Sequence, residues 1–515
     1  MSLLRIFRAD PLLAGLTTLL SAAICLPLFV TPFLPMQDLP DHVGLANLIG
    51  DILGGNGLAS DHYRVQGLPL PYLTMYVMLA AFGALFGPLF GAKLVVAFTL
   101  LCIPLGAMRL MVALKRNPRM GLFAFALVWD HNLYWGWVSY AMGNGLALFA
   151  LAHLIESTSV KGALLRAGGW AALVALTHAQ AFGNYLVLAG AFVFAGAPLR
   201  RRFLIHALGL LPGILILVPW AIDRMTAGSG SAAGSGLGLV WHSLPHKLGH
   251  LYTYSMGDPT GPTGEACSAL AFAIVLLAPL ALAGLRRDES VVEDRGAVVA
   301  FLAMAGLYLA MPMQMSRPIE QWYIYPREAS LLLLAALLVP RPNLTGRWRS
   351  LLLLPAVAAT TLTCVAVTGQ FADFGKRARP FLEIIDKTKA DRALLTLTLD
   401  DGDPRVRLSV YNQFHAYITA TRGGYDPYLF DNPSHVVVFR GERKRPAPAW
   451  NRMHEFSMTT HAPHYDYILV QGLDRDPSRE GPLPTGQVVQ RIAQAGRWRL
   501  YEIVKPETLT ALPPS

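Results

Sequence analysis

Four stretches of this chain carry side chains able to do acid–base or anion-binding chemistry. The first, Gln37-Asp38-Leu39-Pro40-Asp41-His42, sets two carboxylates three positions apart beside an imidazole, directly after an apolar run. A carboxylate so placed could take the proton of a hydroxyl or help to hold a cation. The competing reading is structural: Asp38 caps a helix that starts there, and Asp41 is solvated. The second stretch, Trp129-Asp130-His131-Asn132, interrupts an apolar region, an expensive place for an ionisable pair. The aromatic residues that follow, Tyr134, Trp135, Trp137 and Tyr140, suit a membrane–water boundary or stacking against a sugar face. The third is His178, between two short apolar runs, which reads either as a hydrogen-bonded packing residue or as a site residue. The fourth runs from Arg317 to Glu328 and holds Glu320, Tyr325 and Arg327. A guanidinium fork matches phosphate oxygens, although an arginine there could also be an interfacial anchor.

Two further features are weaker. His242, His246 and His250 recur every four residues, which puts them on one helical face, but no acidic partner stands nearby to complete a metal site. Arg64 is the single lysine or arginine of a segment that otherwise carries Asp38, Asp41, Asp51 and Asp61. No motif indicates a cofactor. A divalent metal ion is the one cofactor the carboxylates leave open, with Asp38, Asp41 and Asp130 as its candidate ligands.

The elements that must position these residues are set by composition. Of 515 residues, 53% are hydrophobic and only 15% charged, where soluble domains carry about a quarter charged residues. A single soluble core of that size is excluded, because cores stop growing at roughly 250–300 residues. The apolar residues come in runs long enough to cross a bilayer, and the sequence predicts about 11 to 13 helices, some short or broken. The net charge of +10 does not point to nucleic acid. Its cations cluster at the ends of apolar runs (Arg5 and Arg8, Lys115 to Arg119, Arg200 to Arg202, Arg286 and Arg287, Arg341 to Arg349), as determinants of cytoplasmic orientation do. The four cysteines, Cys25, Cys102, Cys267 and Cys364, lie in or beside apolar runs and read as packing residues.

The first run, Pro11 to Pro35, reads as a retained anchor with a cytoplasmic N-terminus, which makes 36–68 an acidic outer loop with a short surface helix over Val43 to Leu53. A second long outer loop covers 222–265. One parity problem arises: if both runs within 69–114 cross fully, Lys115 to Arg119 falls outside, so either one run is incomplete or re-entrant or that loop breaks the rule. The expected division is a polytopic domain over 1–370 and a soluble extracytoplasmic α/β domain over 371–515. In the latter, Arg392 to Leu399, Val436 to Phe439, Tyr467 to Val470 and Arg497 to Val504 read as strands. Ala378 to Lys387 and Gln487 to Ala495 read as helices.

This layout resembles the C-type membrane glycosyltransferases, the superfamily that includes protein O-mannosyltransferases and the aminoarabinose transferases. The residues that carry the resemblance are Asp38 and Asp41 after helix one, Pro69-Leu70-Pro71-Tyr72 at the entry to helix two, and Asp130 further on. The first acidic motif is D-L-P-D-H rather than a paired D-E or E-x-D, and no proline follows Asp130-His131. The resemblance implies a polyprenyl-phosphate sugar as donor, an acceptor glycan, lipid or protein at the outer face of a bacterial inner membrane, and inversion at the anomeric carbon. It assigns the base to Asp38 or Asp41. Binding then falls to His42, Arg64, Asp130, His131, His178, Arg317, Glu320, Tyr325 and Arg327. The rival readings are a transporter or flippase with a soluble cap, and a non-catalytic component of envelope polysaccharide assembly.

Overall fold

The computed structural model describes residues 3–67, 69–195, 202–228, 238–257, 259–285, 295–317, 320–342, 351, 353–431, 435–441, 444–472, 475–479, 483 and 486–504. Among them, six helices are long and apolar enough to cross a membrane: Pro11–Phe29, Pro88–Ala113, Val138–Glu156, Phe203–Thr226, Pro262–Gly284 and Leu353–Ala378. Four shorter apolar helices accompany them, Leu73–Phe86, Pro118–Leu127, Ala179–Ala195 and Arg295–Ala310. The chain is a multi-pass membrane protein. Leu204, Leu215, Leu277 and Leu280 are more than half exposed, a surface that would aggregate in water but is at home in lipid.

Several helices are interrupted, as the short apolar runs predict. His178 is extended between Gly168–Thr177 and Ala179–Ala195. Pro118–Leu127 is wound as a 3-10 helix, and Ala163–Ala167 is a π-helical turn. Leu73–Phe86 has 14 residues, a length of about 21 Å against a hydrocarbon core of about 30 Å. That shortness fits the incomplete-run alternative for the parity problem. Gly87, at φ +81°, turns the chain after it. A Cβ on Gly91 would come within 2.6 Å of the Gly83 nitrogen, so only glycine permits the close return.

The chain divides into two compact units, one of Met1–Leu28, Pro69–Thr74 and Val96–Gln370, the other of Phe29–Leu68, Met75–Val95 and Phe371–Ser515. The second unit thus draws the first loop together with the C-terminal segment. Its four-stranded sheet has the order β2 (Leu394–Thr398), β4 (Tyr467–Gln471), β6 (Trp498–Val504) and β5 (Val488–Ala495). The β2–β4 pair is parallel, and β6 is antiparallel to both neighbours. A separate antiparallel pair joins β1 (Tyr63–Val65), from the first loop, to β3 (Val437–Phe439), from the C-terminal segment.

Two sequence expectations fail here. Gln487 to Ala495 is not a helix: Val488–Ala495 is an edge strand. It turns through Gly496, at φ +57°, into β6, and hairpin pairing overrides the helical propensity of Gln-Arg-Ile-Ala-Gln-Ala. Nor is Val43 to Leu53 a surface helix. Two helices, Leu39–Asn47 and Ile49–Gly54, cover the region, and the first is buried from Leu39 to Ala46. The reason is packing against helix Ala416–Arg422. A Cβ at Gly44 would stand 3.1 Å from the Ala416 carbonyl oxygen and 3.3 Å from Leu429 Cδ2. Phe33 seats the same loop in the aromatic core of the unit, with ring centres 5.7 Å from Phe381, 5.2 Å from Phe414 and 4.9 Å from Tyr417.

Candidate functional site

In the second unit, helix Leu39–Asn47 carries Asp41 into a fully buried position. Among the described residues, neither carboxylate oxygen has a hydrogen-bond partner. The Phe430 backbone N–H lies toward it and favours the ionised form somewhat, without meeting the distance and angle of a hydrogen bond. Burial holds the Asp41 pKa well above the usual carboxylate range, and the charges of Asp426 and then Asp38 add to the effect. Asp38 stands at the N-terminus of the helix but makes no side-chain cap; its Oδ1 accepts from Gln413 Nε2 at 3.2 Å. The capping role open to Asp38, and the solvated role open to Asp41, are therefore not the ones they take.

His42 follows, with Nδ1 3.2 Å from the Tyr76 hydroxyl and its ring 5.4 Å from Phe430 and 5.3 Å from His435. Burial pushes the His435 pKa down to about 4, so this imidazole is neutral near pH 7 and gives Asp41 no cation. Arg64 is exposed on β1, opposite Val438, outside this buried group.

The first unit gathers a different set. Asp130 caps the short helix His131–Trp135, accepting from the Leu133 N–H at 3.1 Å. Its other oxygen accepts from Asn132 Nδ2 at 2.6 Å and from Ser330 Oγ at 2.5 Å. His131 Nε2 accepts from Trp135 Nε1 at 2.8 Å, and His178 Nδ1 accepts from the Gln180 N–H at 3.1 Å. The Arg327 guanidinium lies 3.9 Å over the Trp137 ring, with Nη1 3.5 Å from Gln180 Oε1. Its backbone carbonyl accepts from the Tyr140 hydroxyl at 3.0 Å and from Asn132 Nδ2 at 3.3 Å. Gln180 also donates to Glu328 Oε1 at 2.8 Å. Asp130 and Arg327 are thus tied into one network through Asn132, and a half-buried guanidinium held flat in this way suits a phosphate or other oxyanion.

Beside it, Trp135 and Trp137 stack at 5.1 Å, and Tyr323, whose backbone is strained at φ +56°, lies 4.5 Å from Trp135. Tyr72, from the Pro-Leu-Pro-Tyr entry, is also left-handed at φ +72°, and its ring is 5.0 Å from His178. Such strain persists where surroundings enforce it, often at functional positions. Tyr325 is buried and its hydroxyl is 2.8 Å from His242 Nδ1. Glu320 is exposed and accepts from Trp322 Nε1 at 3.0 Å, and Arg317 is half-buried.

Among the described residues, no three His, Cys, Asp or Glu side chains group so as to hold a metal ion. Sequence reasoning missed Gln413, His415, Asp426, His435 and Ser330. Nothing in their spacing marks them; only the fold brings them to the carboxylates.

No protein-family model and no curated protein matches the sequence. Solved structures do. Apo ArnT from Cupriavidus metallidurans superposes with a TM-score of 0.51 at 13% identity, covering 99% of this chain and 100% of that one. The same enzyme bound to undecaprenyl phosphate gives 0.49 at 12%, over 96% and 98% of the two chains. Arabinofuranosyltransferase AftD from Mycobacteria gives 0.49 at 16%, over 95% of this chain and 40% of that one. The chain shares the fold of ArnT, with a small C-terminal sheet domain.

Proposed function

We propose that this protein transfers a sugar from a polyprenyl-phosphate donor to an acceptor hydroxyl at the periplasmic face of a bacterial inner membrane. One observation carries the reading. A carboxylate at the position where the resemblance expects the base is buried, and neither of its oxygens is hydrogen-bonded to any described residue. Orphaned buried polar groups are rare and mark strain or function. The shared fold with ArnT supports the reaction class, and the membrane helices explain why the donor would be a lipid.

Asp41 takes the acceptor proton as the acceptor oxygen bonds to the anomeric carbon. The bond from that carbon to the phosphate oxygen breaks, and the lipid phosphate departs as an anion. Direct displacement inverts the anomeric centre. A desolvated carboxylate is a stronger base than a solvated one, which matches it to an alcohol near neutral pH. Within the first unit, Arg327, held flat over Trp137, is the guanidinium suited to a phosphate group.

The test is direct. Purified protein in nanodiscs is incubated with radiolabelled undecaprenyl-phosphate pentoses and hexoses and a membrane glycolipid extract as acceptor. Release of undecaprenyl phosphate with label transferred to the extract supports the reading. Movement of intact donor across the bilayer without cleavage replaces it with a flippase.

A further inference from the structure

The helix break at His178 leads to a side chain that the mechanism above leaves unused. His178 is extended between two helices, and its Nδ1 accepts from the Gln180 N–H at 3.1 Å and the Ala181 N–H at 3.4 Å. The imidazole thus satisfies free N–H groups at the start of helix Ala179–Ala195. Two rings meet it edge-on, Tyr72 at 5.0 Å and Tyr140 at 5.3 Å between centres. Gln180 is therefore fixed in the first turn of a helix whose entry is packed by aromatic side chains.

The orientation of its amide follows from its surroundings. Nε2 faces two acceptors, Glu328 Oε1 at 2.8 Å and the Ile324 carbonyl oxygen at 3.4 Å. The NH2 end must point there, which leaves Oε1 facing Arg327 Nη1 at 3.5 Å. A guanidinium can only donate, so the carbonyl end is the one that suits it. Glu328 is buried, and its Oε2 has no hydrogen-bond partner among the described residues. A proton on that oxygen leaves Oε1 an acceptor, so the amide keeps its orientation in either state of the acid.

We infer that Gln180 is a positioning residue for Arg327: its carbonyl oxygen and the Trp137 ring, 3.9 Å from the guanidinium carbon, together set the plane in which the fork meets a phosphate. The inference rests on the reading of Arg327 as the phosphate-binding residue. The main chain of Arg327 is already held, its carbonyl oxygen accepting from the Tyr140 hydroxyl at 3.0 Å and from Asn132 Nδ2 at 3.3 Å. What remains to be set is the direction of the side chain. At 3.5 Å the amide stands at the outer limit of a hydrogen bond, so it steers the fork without occupying it. A carboxylate in its place would form a bidentate pair and compete with phosphate for the same donors. The buried carboxylate instead stands one step back, bonded to the other end of the amide.

The experiment measures binding of radiolabelled undecaprenyl phosphate to the purified protein in nanodiscs. Gln180→Met keeps the length of the side chain and removes the amide, and is expected to raise Kd about fivefold. Glu328→Gln can offer either end of its own amide to Gln180, which releases the fixed orientation, and is expected to raise Kd by a smaller factor. Arg327→Ala should raise it more than either. On the Arg327→Ala background, Gln180→Met should add nothing, because its effect runs through the guanidinium.

A merely structural Gln180 would weaken binding by the same factor with or without Arg327, and that result overturns the inference. So does parent-like binding in folded Gln180→Met. Should Gln180→Met fail to fold, the nearly isosteric Glu328→Gln decides by the same two criteria. Arg327→Ala separates this from the underlying reading. If it binds undecaprenyl phosphate as the parent does, Arg327 is not the phosphate residue and both fall; if it binds weakly while Gln180→Met binds normally, only the role of Gln180 falls.

Discussion

Gln413 and Asp38, side chains brought together across most of the chain, meet at 3.2 Å from amide nitrogen to carboxylate oxygen. The amide occupies Asp38 from its own unit, whereas neither oxygen of Asp41 has a hydrogen-bond partner among the described residues. That difference motivates the first expectation, which rests on the proposed reading of Asp41 as the base.

Asp41→Asn should abolish sugar transfer and at the same time stabilise the protein at alkaline pH. The folded-state pKa of Asp41 is raised, so between its unfolded value and that raised value the native state binds more protons than the unfolded chain. Stability contributed by this group therefore falls as pH rises through that window. The variant cannot ionise and escapes the loss. Melting curves in detergent from pH 4 to 9 check it: the gap between variant and parent should widen with pH, and a constant gap contradicts the buried, unpartnered state.

Replacing Arg327 by Lys keeps the charge but loses the planar fork and its stacking on Trp137. If the guanidinium stabilises departing phosphate, initial transfer rates should drop by about 10²-fold, with Arg327→Ala lower still. Parent-like rates in both variants would remove Arg327 from the reaction.

Gly44→Val tests the close seat of the first loop on helix Ala416–Arg422. A Cβ there already stands at 3.1 Å from a backbone oxygen, which cannot swing aside as a side chain could. Overpacking of this kind costs about 1–3 kcal/mol. The variant should melt earlier and become sensitive to proteolysis in the first loop.

Trp498→Ala should be more damaging. The indole is fully buried, stacked on Phe414 at 5.8 Å and set 5.0 Å from Phe381. Loss of such a side chain typically costs about 3–5 kcal/mol, and the melting transition of the second unit is where the loss should register.

Legibility in the sequence followed the range of the interactions. Apolar runs and their flanking charges announced the membrane helices because hydrophobicity is a local property. The strands over Leu394–Thr398 and Tyr467–Gln471 were legible for the same reason, being continuous β-branched and aliphatic stretches. Val488–Ala495 was not: it is mostly exposed, and only its hairpin partner makes it a strand. Asp41 stood out as a residue type in an unusual place, but its burial depends on Gly44 meeting Ala416, and no local pattern encodes that meeting. His415 and Asp426, whose side chains meet at 2.6 Å, were invisible as a pair, since neither a histidine nor an aspartate in a polar segment signals chemistry until a neighbour is known.

The antiparallel bridge between Tyr63–Val65 and Val437–Phe439 has a temporal side. Gln66 and His435, at its end, are joined by a side-chain hydrogen bond across 369 residues of sequence. A ribosome adding roughly 5–20 residues per second leaves the early strand without its mate for on the order of tens of seconds. During that interval an open edge invites wrong partners, and Asp51, Asp61 and Arg64 beside it supply charges that discourage them. Maturation of this fold therefore keeps its early strand waiting for a late mate, and chains that stall before Val437 would be left with that strand unpaired.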